Sequence, residues 1–347
     1  MQYPVRSLSD WDSFGRLPLA KRIRLYLRSR RFHKRAKRRQ DVTIEKVQSA
    51  TTALGPKDVI LICVARNAAT YVPSFLAHYR RLGVKRFAFL DDRSDDQTRV
   101  LLAQPDVDLY TSNVDFRSTG GGLLWRDMLV DMYGRDRWYI SLDSDEYLIY
   151  PGCEARPISA FIGDLERQGL KRSMAVMLDI YPDRPLAQAL AHDPVDAAPT
   201  ACCPLHDGDG YTVSDEALST AVRGGPRRRL FDIDMRMSKF PVIFADKRTH
   251  FNSGSHHAPI PTERNFGPVS AVLLHYKFPN DAVKEFHRIA DQGTHAKGSG
   301  FYKAIVSHDA FGEDMDLRYS GSVRFTDSET LVANGYMKDL RPPGKHQ

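Results

Sequence analysis

The sequence predicts an α/β fold with a mainly parallel central sheet flanked by helices. Three observations carry that expectation. Short apolar runs at Val59–Ala65, Arg86–Leu90 and Trp138–Leu142 have the length and β-branched or aromatic character of buried strands. Between the first two lies Tyr71–Leu82, whose Val72, Phe75, Leu76, Tyr79 and Leu82 follow helical spacing. Each run then stops in polar or acidic residues, as strands of an open α/β sheet do where ligands bind beyond their carboxyl ends.

In chain order, the first strand is Val59–Ala65, which ends in Arg66-Asn67, polar groups placed to face a nucleotide. The helix Tyr71–Leu82 tolerates Pro73 in its first turn and stops at Gly83. The second strand, Arg86–Leu90, closes a right-handed βαβ unit and runs into DDRSDDQT. There Asp91 and Asp92 suit hydrogen bonds from a base or ribose, while Asp95 and Asp96 suit a turn and cap. A third strand spans Asp106–Tyr110, and Gly120–Gly122 then lead into a helix carrying Leu123, Leu124, Met128, Leu129 and Met132. Arg126 on its first turns can reach a phosphate or remain a surface residue. Trp138–Leu142 is the fourth strand and Met174–Ile180 the fifth.

The fourth strand ends in Asp143, Ser144, Asp145 and Glu146, three carboxylates in four residues. Such a cluster can hold a hard divalent cation, and the cation a diphosphate. Spacing alone selects nothing here. Asp-x-Asp also occurs at Asp10/Asp12, Asp106/Asp108, Asp207/Asp209, Asp232/Asp234 and Asp314/Asp316, yet only the copy at Asp143 directly follows an apolar, aromatic-rich run. Neither a Gly-x-Gly-x-x-Gly nor a Walker loop follows the first strand, which disfavours dinucleotide and P-loop chemistry.

Past Ile180 the pattern loosens, and residues 181–226 resemble an irregular insertion of the kind that builds a variable substrate site. Gly224–Arg229 sets Arg227 and Arg228 on a Gly-Pro turn, where guanidinium forks suit an anionic ligand as well as a solvated basic turn. Histidines cluster at His250, His256, His257 and His275; His275 lies in an apolar strand, as a core residue or a metal ligand. Asp281–Asp291 reads as a helix.

Composition bounds the class: 347 residues, 42% hydrophobic and 27% charged, can bury a sizeable globular core. The apolar run at Val59–Ala65 is far shorter than a membrane span and no signal-peptide pattern opens the chain, so a cytoplasmic protein is expected. Four cysteines show neither metal-ligand spacing nor a disulfide framework. The net charge of +7 is uneven, because Lys21–Arg39 carries eleven Lys and Arg and no acid. Ile23, Leu25, Tyr26, Leu27 and Phe32 interleave with those charges, which suits a basic helix on an anionic membrane face as well as a solvated arm. Nucleic acid is disfavoured, since no second basic patch with interleaved aromatics exists.

Taken together, LICVARNAATYVPSFLAHYRRLG, RFAFLDDRSDDQT, WYISLDSDEYL and the later GGPRR, GSHH and LLHYKF segments resemble bacterial glycosyltransferases of the family 2 type, with the GT-A fold. The resemblance covers about residues 57–290. It implies a nucleotide-sugar donor, Mn2+ or Mg2+, and a hydroxyl acceptor on a cell-surface glycan or lipid-linked precursor. Ala65, Arg66, Asn67, Asp91 and Asp143 would then face the nucleotide sugar, and Asp143, Asp145 and His275 the metal. Under this likeness residues 1–55 are a basic arm and linker, 56–180 the donor half, 181–300 the acceptor half and 301–347 a C-terminal extension. Inverting transfer also needs a carboxylate base, for which Asp179 and Asp232 are the placeable residues. The Gln-x-x-Arg-Trp signature of processive synthases is absent, so single-sugar transfer is expected. A nucleotidyltransferase, a sugar-nucleotide hydrolase and a non-catalytic membrane-docking relative are the alternatives.

Overall fold

The computed structural model describes residues 1–11, 14–15, 17–36, 41–191, 199–251, 258–293 and 296–343. Its centre is a nine-stranded sheet formed by β1 (Ile44–Gln48), β2 (Ile60–Ala65), β3 (Arg86–Asp91), β4 (Val107–Ser112), β5 (Arg137–Leu142), β6 (Glu146–Ile149), β7 (Arg172–Ile180), β8 (Ser238–Ala245) and β9 (Val269–Tyr276). Their spatial order is β1-β4-β3-β2-β5-β8-β7-β9-β6.

The expected strands and helices form within a few residues of their predicted ends, but the sheet is mixed rather than mainly parallel. β2, β3, β4 and β5 are parallel neighbours, as are β7 and β9, whereas β8 runs antiparallel between β5 and β7, and β1 and β6 are antiparallel edges. The physical reason is that burial on both faces makes a strand apolar whatever its neighbours' direction. Every residue of β2, β3, β7 and β9 is buried.

Residues 1–55, expected as a basic arm and linker, contribute strands and a helix that pair with or rest on the body. Gln2–Tyr3 pairs with Tyr211–Asp215, Ile44–Gln48 closes one sheet edge, and the described part of the basic run, residues 21–36, lies in the helix Leu19–Ala36. The amino-terminal strand is held by the carboxyl-terminal segment: the Tyr3 hydroxyl donates to the Tyr336 carbonyl at 2.6 Å and the Val5 N–H to the Gly335 carbonyl at 2.9 Å. Gly335 has φ +76°, and a Cβ there would lie 1.8 Å from the Val5 carbonyl oxygen, so close approach requires glycine. Residues 181–226, expected to be irregular, contain three short strands at Leu205–Asp207, Tyr211–Asp215 and Thr220–Arg223. A second apolar cluster, including Tyr181, Phe278, Phe286, Tyr302 and Phe311, seats the helices Ala282–Gln292 and Ala296–Val306. No helix is long and apolar enough to cross a membrane among the described residues.

One feature of this topology positions the site. Only Asp143, Ser144 and Asp145 separate β5 from β6, yet β8, β7 and β9 lie between those strands in the sheet. The acidic turn therefore passes over the ends of three strands, and their terminal side chains gather beneath it.

Candidate active site

Lys239 comes from β8, Asp179 from β7 and His275 from β9, and all three converge on the turn. The Asp145 carbonyl accepts the Tyr276 N–H at 2.8 Å, which ties the turn to the end of β9. Asp143 is held on both sides: Oδ1 accepts from Arg126 at 2.8 Å and Oδ2 from Lys239 at 2.7 Å. The same lysine reaches Glu146 Oε1 at 2.5 Å, and Glu146 Oε2 accepts the Asp143 N–H at 3.2 Å. His275 lies between two carboxylates, Nδ1 at 2.6 Å from Asp179 Oδ1 and Nε2 at 3.3 Å from Asp145 Oδ2. Arg227 then closes on Asp179 in bidentate fashion, at 2.7 and 3.0 Å.

The cluster is balanced in charge: Asp143, Asp145, Glu146 and Asp179 against Arg126, Lys239, Arg227 and a protonated His275. Burial would raise the Asp145 carboxyl, but the His275 charge and hydrogen bond outweigh it and hold it down at about 2. Burial likewise works against the Asp179 carboxylate, yet Arg227 and His275 keep it below the usual range. For His275 burial favours the neutral ring, and Asp145 and Asp179 reverse that and raise it. Burial also favours a neutral lysine at position 239, and Asp143 and Glu146 overcome it, so the ammonium is kept charged. Glu146 goes the other way; its enclosure lifts the carboxyl despite Lys239.

This cluster lies in the wall of a cleft of about 810 Å³. Ala65, Arg66, Asn67, Asp92, Asp143, Asp145, Arg227 and His275 all line it, so strand ends far apart in sequence are brought together there. Arg126 sits behind Asp143 and is buried. Three expected residues face elsewhere. Asp91 is turned to Arg99, 2.6 Å away, because successive residues at a strand end point to opposite faces; Asp92 takes the cleft side. Arg228 pairs with Asp234 at 3.8 Å on an exposed helix face, one residue around the turn from Arg227. Asp232 is exposed at the end of that short helix, with φ +53°, and does not line the cleft. Asp179, expected as a base, is fully enclosed and holds Arg227 and His275. Asp95 and Asp96 serve the turn: Asp96 accepts from Thr98 N–H at 2.9 Å and Ala69 N–H at 3.1 Å. His256 and His257 lie outside the described residues.

Lys239 and Lys277 were not singled out from the sequence, although a signal exists for the first. A lysine inside an apolar strand such as KFPVIFA must find partners, by the reasoning that drew attention to His275. Lys277 donates to the Tyr302 hydroxyl at 2.6 Å and stands over that ring, 4.8 Å from its centre, on the cleft wall.

Asp145, Glu146 and His275 each offer a ligand atom, and these atoms lie within 4.8 Å of one another. The set fits a divalent cation: two carboxylates and an imidazole whose other nitrogen is oriented by Asp179, the usual arrangement behind a metal-bound histidine. Asp143 is not part of that group; Arg126 and Lys239 engage its oxygens, as Lys239 and the Asp143 N–H engage those of Glu146, so a cation would have to displace the lysine from Glu146.

No family profile matches the chain, and no curated protein does. Among solved structures, S. aureus TarS shares 14% identity over 39% of this chain and 24% of that one, with a TM-score of 0.27. TarS 1-349 shares 10% identity over 73% and 66%, at 0.32, and 4-diphosphocytidyl-2C-methyl-D-erythritol synthase 12% over 55% and 75%, at 0.27. The chain thus spans less than two thirds of either TarS chain, and likenesses at these scores identify neither family nor activity.

Proposed function

We propose that the cleft binds a nucleotide-activated sugar and that the protein is a metal-dependent glycosyltransferase moving the sugar to a hydroxyl acceptor. The observation that carries this reading is the acidic turn Asp143–Glu146, set in a cleft wall among Lys239, Lys277 and Arg227. Asp145, Glu146 and His275 would hold Mn2+ or Mg2+, which when bound neutralises charge on a diphosphate. His275 must then give up its Nε2 proton, while Asp179 keeps the Nδ1 proton and with it the ring's orientation.

The fixed cations have a separate task. Lys239 and Arg126 hold Asp143 in place and prevent the turn from repelling a diphosphate, and Lys277 meets negative charge as it develops on the leaving group. Asp92 and Asn67, on the β2–β3 side of the cleft, would contact base or ribose. Asp179 is read as a positioning residue rather than the base, because Arg227 already occupies both its oxygens.

Calorimetric titration of UDP and GDP with Mn2+ and then with EDTA tests the reading. Binding of at least one, lost on chelation, is expected; absence of binding by either nucleotide in both conditions would sink it. Product analysis separates the nearest alternative, since nucleotidyl transfer from a triphosphate releases pyrophosphate and sugar transfer releases a nucleoside diphosphate.

A further inference from the structure

The helix Leu19–Ala36 is attached to the body by one narrow face and leaves the rest uncovered. Leu25 and Ser29 face inward: the Ser29 hydroxyl donates to the Leu25 carbonyl at 2.9 Å and lies 3.0 Å from the Thr262 hydroxyl, and the Thr262 N–H donates to Ser29 at 2.9 Å. Lys21 on the same side reaches Asp215 at 3.4 Å. The opposite face shows an aliphatic row at spacings of four, Leu19, Ile23 and Leu27, whose exposures are 70, 52 and 50%. Arg22, Arg24, Arg28, Arg30 and Arg31 flank it, all exposed. No acid occurs anywhere in the helix.

We propose that this outward face docks on an anionic lipid bilayer, with Leu19, Ile23 and Leu27 entering the interface and the arginines meeting lipid phosphates. An aliphatic row bordered by guanidinium groups is the pattern that combines apolar burial with attraction to anionic headgroups. A recess of about 420 Å³ beside the row, lined by Arg24, Leu27, Arg28, Arg31 and Phe32, joins both chemistries in one place. Other occupants suit it less. Nucleic acid would meet the arginines but gain little from aliphatic side chains, which offer no stacking surface. A second copy of the same face would bring like charges together.

The position of the helix adds an orientation. It rests on Thr262–Glu263, and its Tyr26 and His33 rings meet Arg248 and His250, segments beyond the end of β8 and before the start of β9. Lys239 and His275, by contrast, are at the opposite ends of those strands. Strands of eight residues at about 3.3 Å each separate the two ends by roughly 25 Å. The docking helix therefore sits at the end of these strands opposite the cleft residues.

Flotation of the full chain with vesicles of phosphatidylcholine, with and without phosphatidylglycerol, tests this directly. The protein is expected to float with the anionic vesicles and at least about 10-fold less with the neutral ones. Ile23→Asp/Leu27→Asp should lose flotation by at least about 10-fold with an unchanged melting temperature, since both side chains are exposed. Arg24→Glu/Arg28→Glu/Arg31→Glu should lose it as well. Equal binding to both vesicles, binding to neither, or wild-type flotation by the Ile23/Leu27 variant would overturn the proposal. Nucleotide binding in the cleft is read separately by calorimetry, so failure of one idea leaves the other standing.

Discussion

Two ends of the central sheet carry dense ion-pair clusters, and only one has the form of an active site. At the cleft end, Asp143, Asp145, Glu146 and Asp179 meet Arg126, Lys239, Arg227 and His275. At the other end Asp246 accepts from Arg264 at 2.6 Å, from the Arg248 N–H at 3.0 Å and from the Thr249 hydroxyl at 3.0 Å, while Arg248 pairs with Glu263. Asp127 accepts the Phe251 N–H at 2.7 Å and faces His250 at 3.3 Å. The far cluster consists of carboxylates spread along separate segments, paired mostly with groups from other segments, and none lines the cleft. The near cluster crowds three carboxylates into one turn and leaves them beside an open volume. Charge density alone does not mark a site; like charges forced together beside a cavity do.

The largest expected contrast comes from removing one carboxylate charge at each end. Asp145→Asn should lower metal-dependent nucleotide binding and any transfer at least about 100-fold, because a proposed ligand is lost, and should cost about 2 kcal/mol of stability as His275 loses a charged partner. Asp246→Asn should also cost stability, about 3 kcal/mol since Arg264 loses its charged partner, but should leave nucleotide affinity unchanged. Calorimetry and thermal unfolding on both variants read the two effects. If Asp246→Asn weakened nucleotide binding as much as Asp145→Asn, the distinction between the ends would collapse.

A pH series sharpens the comparison through histidines that belong to neither end. Burial holds His78 and His206 down at about 4, each with a ring nitrogen facing a backbone carbonyl, Leu148 at 3.1 Å and Asp207 at 3.0 Å. Their folded values are depressed, so their contribution is present above about pH 6.5 and is lost as pH falls toward 4. Unfolding free energy should drop by up to about 3 kcal/mol for each histidine over that window. His78→Gln should flatten part of the drop; an unchanged slope would show that another group causes it. The smallest expected effect is at Arg228→Ala, whose partner Asp234 is half-exposed across 3.8 Å. Nucleotide affinity should stay within about 2-fold, in line with exposed ion pairs contributing little.

Local pattern made most elements legible. Arg86–Asp91 and Val72–Arg81 form where short apolar runs and helical spacing place them, since strand and helix formation depend on residues close in sequence. The acidic turn could likewise be picked from six Asp-x-Asp copies, because a strand's apolar character and the acids at its end are neighbours in the chain. Pairing direction was not legible: β8 reads as a buried strand in either orientation, and nothing local to KFPVIFA states that it enters antiparallel between β5 and β7.

The site itself divides the same way. Sequence alone determined that Asp143, Asp145 and Glu146 share a turn, that His275 ends a buried strand, and that a basic amphipathic segment precedes the sheet. Only the tertiary structure decided that Lys239 bridges Asp143 and Glu146, that Asp179 serves His275 and Arg227, and that Asp92 rather than Asp91 reaches the cleft. The reason is sequence separation. Lys239 lies 96 residues from Asp143 and is brought beneath it only because a three-residue turn crosses strands added to the sheet much later in the chain.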